Sequence, residues 1–134
     1  MEQLAVEIVG LCREYGECRV EVERMEEVRR VKNALESVCV VARRKLDISD
    51  PALLLALLDA YEVTRDEGML QEVLDVVGRN LDRLAVSAES VKLLAYCYYY
   101  VEEEECAERA RRMLEELRKM GRGEEELADA ETIL

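Results

Sequence analysis

The residues of this chain with the most chemical reach are carboxylates one helical turn apart: Glu105 with Glu108, Glu126 with Asp129, and Glu72 with Asp75. Such a pair on one helix face can hold Mg²⁺, a hard cation that accepts one or two carboxylates and keeps several waters. Among 31 acidic residues, pairs at this spacing arise readily. Other catalytic chemistry lacks its parts. There is no His, which removes Ser-His-Asp and Cys-His nucleophilic sites, Glu-x-x-His di-iron centres and His-ligated zinc. No Cys-x-x-Cys pair occurs among the five Cys, and a lone thiol without a base is hard to activate. The six Gly are scattered, so there is no phosphate-cradling loop. No cofactor is expected.

The balance of charge narrows the partners. A net charge of −12 disfavours nucleic acid, whose phosphates are bound by clustered Lys and Arg. The densest basic groups are Arg29, Arg30 and Lys32, then Arg43 to Lys45, then Arg109 to Arg112; each has acidic neighbours, and intrahelical ion pairs are their expected use. The apolar runs Ala52 to Leu58 and Leu93 to Val101 are shorter than the roughly 20 residues of a membrane span, and the N-terminus lacks the basic start of a signal peptide. A cytoplasmic protein with no membrane partner is the expectation. Low Asn and Gln with a heavy Glu and Arg load resembles heat-adapted composition. In a cytoplasmic chain the Cys would be buried thiols. In a hyperthermophile, Cys12 with Cys18 and Cys97 with Cys106 would each bracket a turn and could bridge, leaving Cys39 over.

These side chains must be carried by helices. At 134 residues, half of them apolar, with a single Pro, the chain is expected to form one all-α domain spanning 1–134. Leu4, Ile8, Leu11 and Tyr15 form one stripe over 2–15, with Gly16 as the stop. A long second helix is expected over about 19–46, with a possible break at Val31 to Asn33. Asp50-Pro51 is the sharpest helix start, an N-cap acceptor followed by a residue with no N–H to lose. Helix three runs to about Arg65 and is apolar nearly all round, so it belongs in the interior. Asp66, Glu67 and Gly68 form the turn to a fourth helix over about 69–84. Ser87 caps a fifth over about 88–102, and a sixth reaches about Met120 before Gly121 and Gly123. The tail could add one short helix.

A repeat at offsets of 35 and 36 residues joins these elements. Leu35, Cys39, Ala42 and Leu46, then Leu70, Leu74, Val77 and Leu81, then Cys106, Ala110, Met113 and Leu117 share a four-three-four spacing. The recurrence suggests stacked antiparallel helical hairpins, about six helices in all.

Leu57-Leu58-x-x-Tyr61 with Leu70, and Leu94-Ala95-x-x-Tyr98 with Ala107, resemble the tetratricopeptide repeat over about residues 51–120. Leu54 and Val91 stand at the tryptophan-like position, and Arg111 where an aromatic is usual. The resemblance implies a hairpin array, with an irregular bundle as the other architecture. It also implies a peptide-binding groove lined by Leu55, Asp59 and Glu62 of the third helix and Lys92, Tyr96, Tyr99 and Tyr100 of the fifth. Tyr suits such a surface, offering rigid apolar area with a polar tip. The tyrosines among 96–100 would equally serve as the aromatic filling of a core without Phe or Trp.

The carboxylate pairs carry the alternative. Glu105 with Glu108 followed by Glu126 with Asp129 is similar to the Mg²⁺-holding arrangement of the MazG-type nucleoside triphosphate pyrophosphatases, which implies a Mg²⁺-dependent hydrolase. Five residues follow Asp129, so the next helix of that family would have to come from a partner chain. The preferred reading is a non-enzymatic scaffold or adaptor for a protein or peptide partner, with a homodimer as one form of it.

Overall fold

The computed structural model describes residues 2–121 and 127–134. The fold is all-α. Among the described residues there are seven α-helices: α1 Glu2–Cys18, α2 Met25–Arg43, α3 Pro51–Thr64, α4 Glu67–Arg79, α5 Ala88–Val101, α6 Glu104–Lys119 and α7 Ala128–Ile133. Single 3-10 turns at Val22–Arg24 and Leu81–Arg83 precede α2 and follow α4. No strand occurs among the described residues.

Contacts divide the chain into two compact units, 1–46 with 52–73, and 47–51 with 74–134. In the first, α1 packs against α2, and Ile8, Leu35, Leu53, Leu54, Leu57, Met69 and Val73 are fully buried. Seven residues of α3 are buried, as its nearly continuous apolar sequence requires. In the second, α5 packs against α6 and α7, and Leu84, Leu93, Leu94, Met113 and Leu127 are buried. The whole four-three-four stripe of α6, Cys106, Ala110, Met113 and Leu117, is buried. That spacing keeps a side chain on one face every turn.

Several boundaries follow local chemistry. Helix α3 starts at Pro51. Ser87 caps α5: its hydroxyl accepts from the Ser90 N–H at 3.1 Å and donates to Ser90 Oγ at 3.0 Å. Gly121, at φ +68°, follows α6 in the left-handed conformation that only glycine enters without strain; Gly123 lies outside the described residues.

Other boundaries depart from the sequence expectation. Helix α1 passes through Gly16 and ends at Cys18. Glycine costs about 1 kcal/mol in a helix, and burial of Cys18 on the same element offsets it. The second helix is not one run over 19–46: it begins at Met25 after a 3-10 turn, and it does not break at Val31 to Asn33. Val31 is buried, which keeps that turn packed. The link from α3 to α4 is shorter than expected. Arg65 takes the left-handed position, at φ 55°, and donates its N–H to the Tyr61 carbonyl at 2.8 Å. Asp66 then caps α4 by accepting from the Met69 N–H at 3.2 Å. Gly68 lies inside the first turn of α4, and a Cβ there would sit 3.3 Å from Asp66 Oδ1 and 3.4 Å from Arg43 Nη2.

Candidate functional site

Helix α5 carries the candidate surface. Its inner face is Val91, Leu93, Leu94, Ala95 and Cys97, all buried. Lys92, Tyr96, Tyr99 and Tyr100 recur at steps of four, three and one, which places them on the opposite stripe. None of the four is buried. Tyr99 is 62% exposed and Val101 40% exposed. The Tyr99 and Tyr100 rings meet edge to face, with centroids 5.3 Å apart. Of the four tyrosines among 96–100, Tyr99 alone is exposed and Tyr96, Tyr98 and Tyr100 are half-buried, so the group covers the edge of the core as well as offering surface. The buried aromatic is Tyr61 of α3, at 7% exposure, whose hydroxyl donates to Glu67 Oε1 at 2.6 Å.

The apolar surface of α5 runs straight into an acidic one. Glu102 closes the helix at φ 54°, with its N–H donated to the Tyr98 carbonyl at 2.7 Å. Glu103 is extended, and Glu104 and Glu105 open α6. All four are exposed. Arg111 donates to Glu104 Oε1 at 3.0 Å and to the Leu134 backbone oxygen at 2.9 Å. Among the described residues nothing forms an ion pair with Glu102, Glu103 or Glu105.

On α3 the expected residues Leu55, Asp59 and Glu62 share a stripe, with Leu55 half-buried and the two acids exposed. Apolar crowding, and then the neighbouring Glu62 charge, raise the Asp59 carboxyl above its ordinary range. Cys12 of α1 lies close enough to feel Asp59 and Cys39; burial first and those charges second push its thiol up to about 11.

A feature that sequence spacing did not reveal lies in the same unit. Glu36, Cys39, Val40, Arg43, Thr64, Asp66 and Met69 line a cleft of about 300 Å³. Arg43, expected to pair within its own helix, reaches instead to α4. Its Nε donates to Glu72 Oε2 at 3.0 Å and its Nη2 to Glu72 Oε1 at 2.6 Å. Nη1 donates to Asp66 Oδ2 at 2.8 Å. The guanidinium is thus occupied by two carboxylates of its own chain and is poorly placed to receive an anion. Cys39 in the cleft wall is pushed up to about 11, because burial outweighs the lowering by Arg43; it stays a protonated thiol at neutral pH and a weak nucleophile.

The carboxylate pairs divide in fate. Glu72 is held by Arg43. Glu105 and Glu108 are exposed on α6, Glu126 lies outside the described residues, and no group of three metal-ligating side chains occurs among the described residues. All five cysteines are free thiols. No helix among the described residues is long and apolar enough to cross a membrane. No protein-family model, curated protein or solved structure matches this chain.

Proposed function

We propose that this protein is a non-enzymatic helical scaffold or adaptor that binds a protein or peptide through the Lys92, Tyr96, Tyr99, Tyr100 face of α5. The observation that supports this reading is the exposure of Tyr99, at 62%, on the stripe of α5 opposite its buried residues, with Tyr96 and Tyr100 half-buried beside it. Tyr contributes large contact area at low entropic cost, and its exposure to water without a partner is otherwise unfavourable apolar surface. The resemblance to tetratricopeptide hairpins supports the same face, since first helices of those hairpins line the peptide groove. Leu55, Asp59 and Glu62 of α3 are the corresponding residues of the preceding hairpin. Of these, Asp59 and Glu62 are exposed and Leu55 is half-buried, with Glu62 paired to Arg65 at 3.3 Å.

Tyr99→Ala combined with Tyr100→Ala tests the proposal. Light scattering and affinity capture should show loss of the partner, or of a second copy of the chain, while thermal unfolding stays close to wild type. A variant that loses stability but binds unchanged would sink the reading, as would a strictly monomeric wild type that captures nothing.

A further inference from the structure

We infer that the junction of α5 and α6 docks a cationic, arginine-rich protein segment. This rests on the interaction reading above and names the class of partner. Tyr99 supplies exposed apolar contact, and Glu102, Glu103 and Glu105 supply carboxylates with no ion pair among the described residues. Arginine matches both. Its flat guanidinium stacks on a tyrosine face and takes a carboxylate by two parallel hydrogen bonds. This chain already uses the first contact internally, where the Arg65 guanidinium carbon lies 5.6 Å from the Tyr61 ring centroid.

Local folding accounts for only part of the acidic run. Glu104 and Glu105 stand in the first turn of α6, where the helix dipole favours negative charge, and Arg111 neutralises Glu104. Glu102 has no such reason. It sits at the C-terminus of α5, where the dipole disfavours a carboxylate, and in the left-handed conformation that a side chain resists. The cations on these two helices do not cancel the patch. Lys92 is nearly three turns back from Glu102 along α5, Arg111 is engaged with Glu104 and the Leu134 oxygen, and Arg109 Nη2 donates to the Leu84 carbonyl at 3.4 Å. Arg112 stands about two turns along α6 from Glu105 and one turn from Glu108, Arg118 pairs with Glu131, and Lys119 is at the far end of the helix. A second copy is a poor occupant, because symmetric contact would bring two acidic runs together in a chain of net charge −12. Anionic membranes and nucleic acids are repelled for the same reason.

Three fluorescein-labelled amphipathic helical peptides with one shared apolar stripe, their polar faces all Arg, all Gln or all Glu, test this by fluorescence anisotropy against the full chain. The Arg peptide should bind about tenfold or more tightly than the Gln peptide at low salt, and the margin should shrink as salt rises. Glu102→Gln with Glu103→Gln and Glu105→Gln should remove that margin, and Tyr99→Ser should weaken Arg and Gln peptides alike. All four positions are exposed, and circular dichroism melting verifies the fold. Equal binding of Arg and Gln peptides, both lowered by Tyr99→Ser, overturns the cationic partner and leaves the binding face standing. Indifference of every peptide to Tyr99→Ser overturns both. Spermine binding that matches the Arg peptide and ignores Tyr99→Ser overturns the protein partner in favour of a small polycation.

Discussion

Arg43 grips Glu72 through two parallel hydrogen bonds, 3.0 and 2.6 Å long, joining residues 29 positions apart in sequence. The same guanidinium holds Asp66 at 2.8 Å, and Asp66 caps α4 with its other oxygen. One cation thus secures both the start and the first turns of that helix.

Arg43→Met should therefore lower stability by about 1–2 kcal/mol, measured by urea unfolding. The figure stays small because Asp66 and Glu72 side chains are each 44% exposed and water screens the pair. Arg43→Lys should recover less than half, since an ammonium cannot reproduce the fork. Full recovery by Lys would mean that charge alone matters.

The same pair sets an acid response. Hydrogen bonding to Arg43 lowers the Glu72 carboxyl below its ordinary range. A group lowered in the folded state contributes stability above its unfolded value, about 4.3, and loses it as pH falls through the folded value. Wild type should lose stability below about pH 4.3 more steeply than Arg43→Met, and the two curves should converge in acid. Parallel curves would refute the assignment.

The thiols set an alkaline response. Burial raises Cys12 and Cys39 to about 11, and raises Cys97 and Cys106 as well. Their contribution is complete below the unfolded thiol value, about 8.5, and declines as pH rises above it. At pH 8 a disulfide reagent should modify half-buried Cys12 first. Cys97 and Cys106 should react only at the rate of unfolding.

Ser87→Ala should cost about 1 kcal/mol through loss of the cap on α5, and Ser87→Gly only a few tenths. Denaturant midpoints would separate the two. The cap also satisfies the fully buried Ser90, so a Ser87 and Ser90 double variant should be less damaging than the sum of the single changes.

Glu102→Gly should raise stability by up to about 1 kcal/mol by accommodating the left-handed cap. It should at the same time weaken capture of the arginine-rich peptide. A gain in thermal midpoint with unchanged peptide binding would separate the cap from any recognition.

Punctuation that acts through one residue was legible in the sequence. Pro51 begins α3, Ser87 caps α5 and Gly121 follows α6, because each acts through backbone geometry or a bond to an adjacent turn. The buried stripe of α6 was legible for the same reason. Gly16 misled, since helix continuity there is decided by burial of Cys18 and not by local preference. The turn at 65–66 was hidden because Arg65, a residue with a side chain, takes the left-handed conformation there, while Glu67 and Gly68, expected in the turn, lie inside α4. The Arg43 network was invisible for a further reason: its partners are 23 and 29 residues away, beyond any helical spacing rule. For the candidate surface, the tetratricopeptide resemblance grouped Tyr96, Tyr99 and Tyr100, while the exposure of Tyr99 and the half-burial of the other two depend on tertiary packing that no local pattern encodes.

Gly68 extends the reach of that network into the history of the sequence. A Cβ at this position would sit 3.3 Å from Asp66 Oδ1 and 3.4 Å from Arg43 Nη2, so a side chain there asks the capping carboxylate to give by a few tenths of an ångström. In related sequences, a side chain at 68 should be found more often where the residue at 66 is not the capping acid.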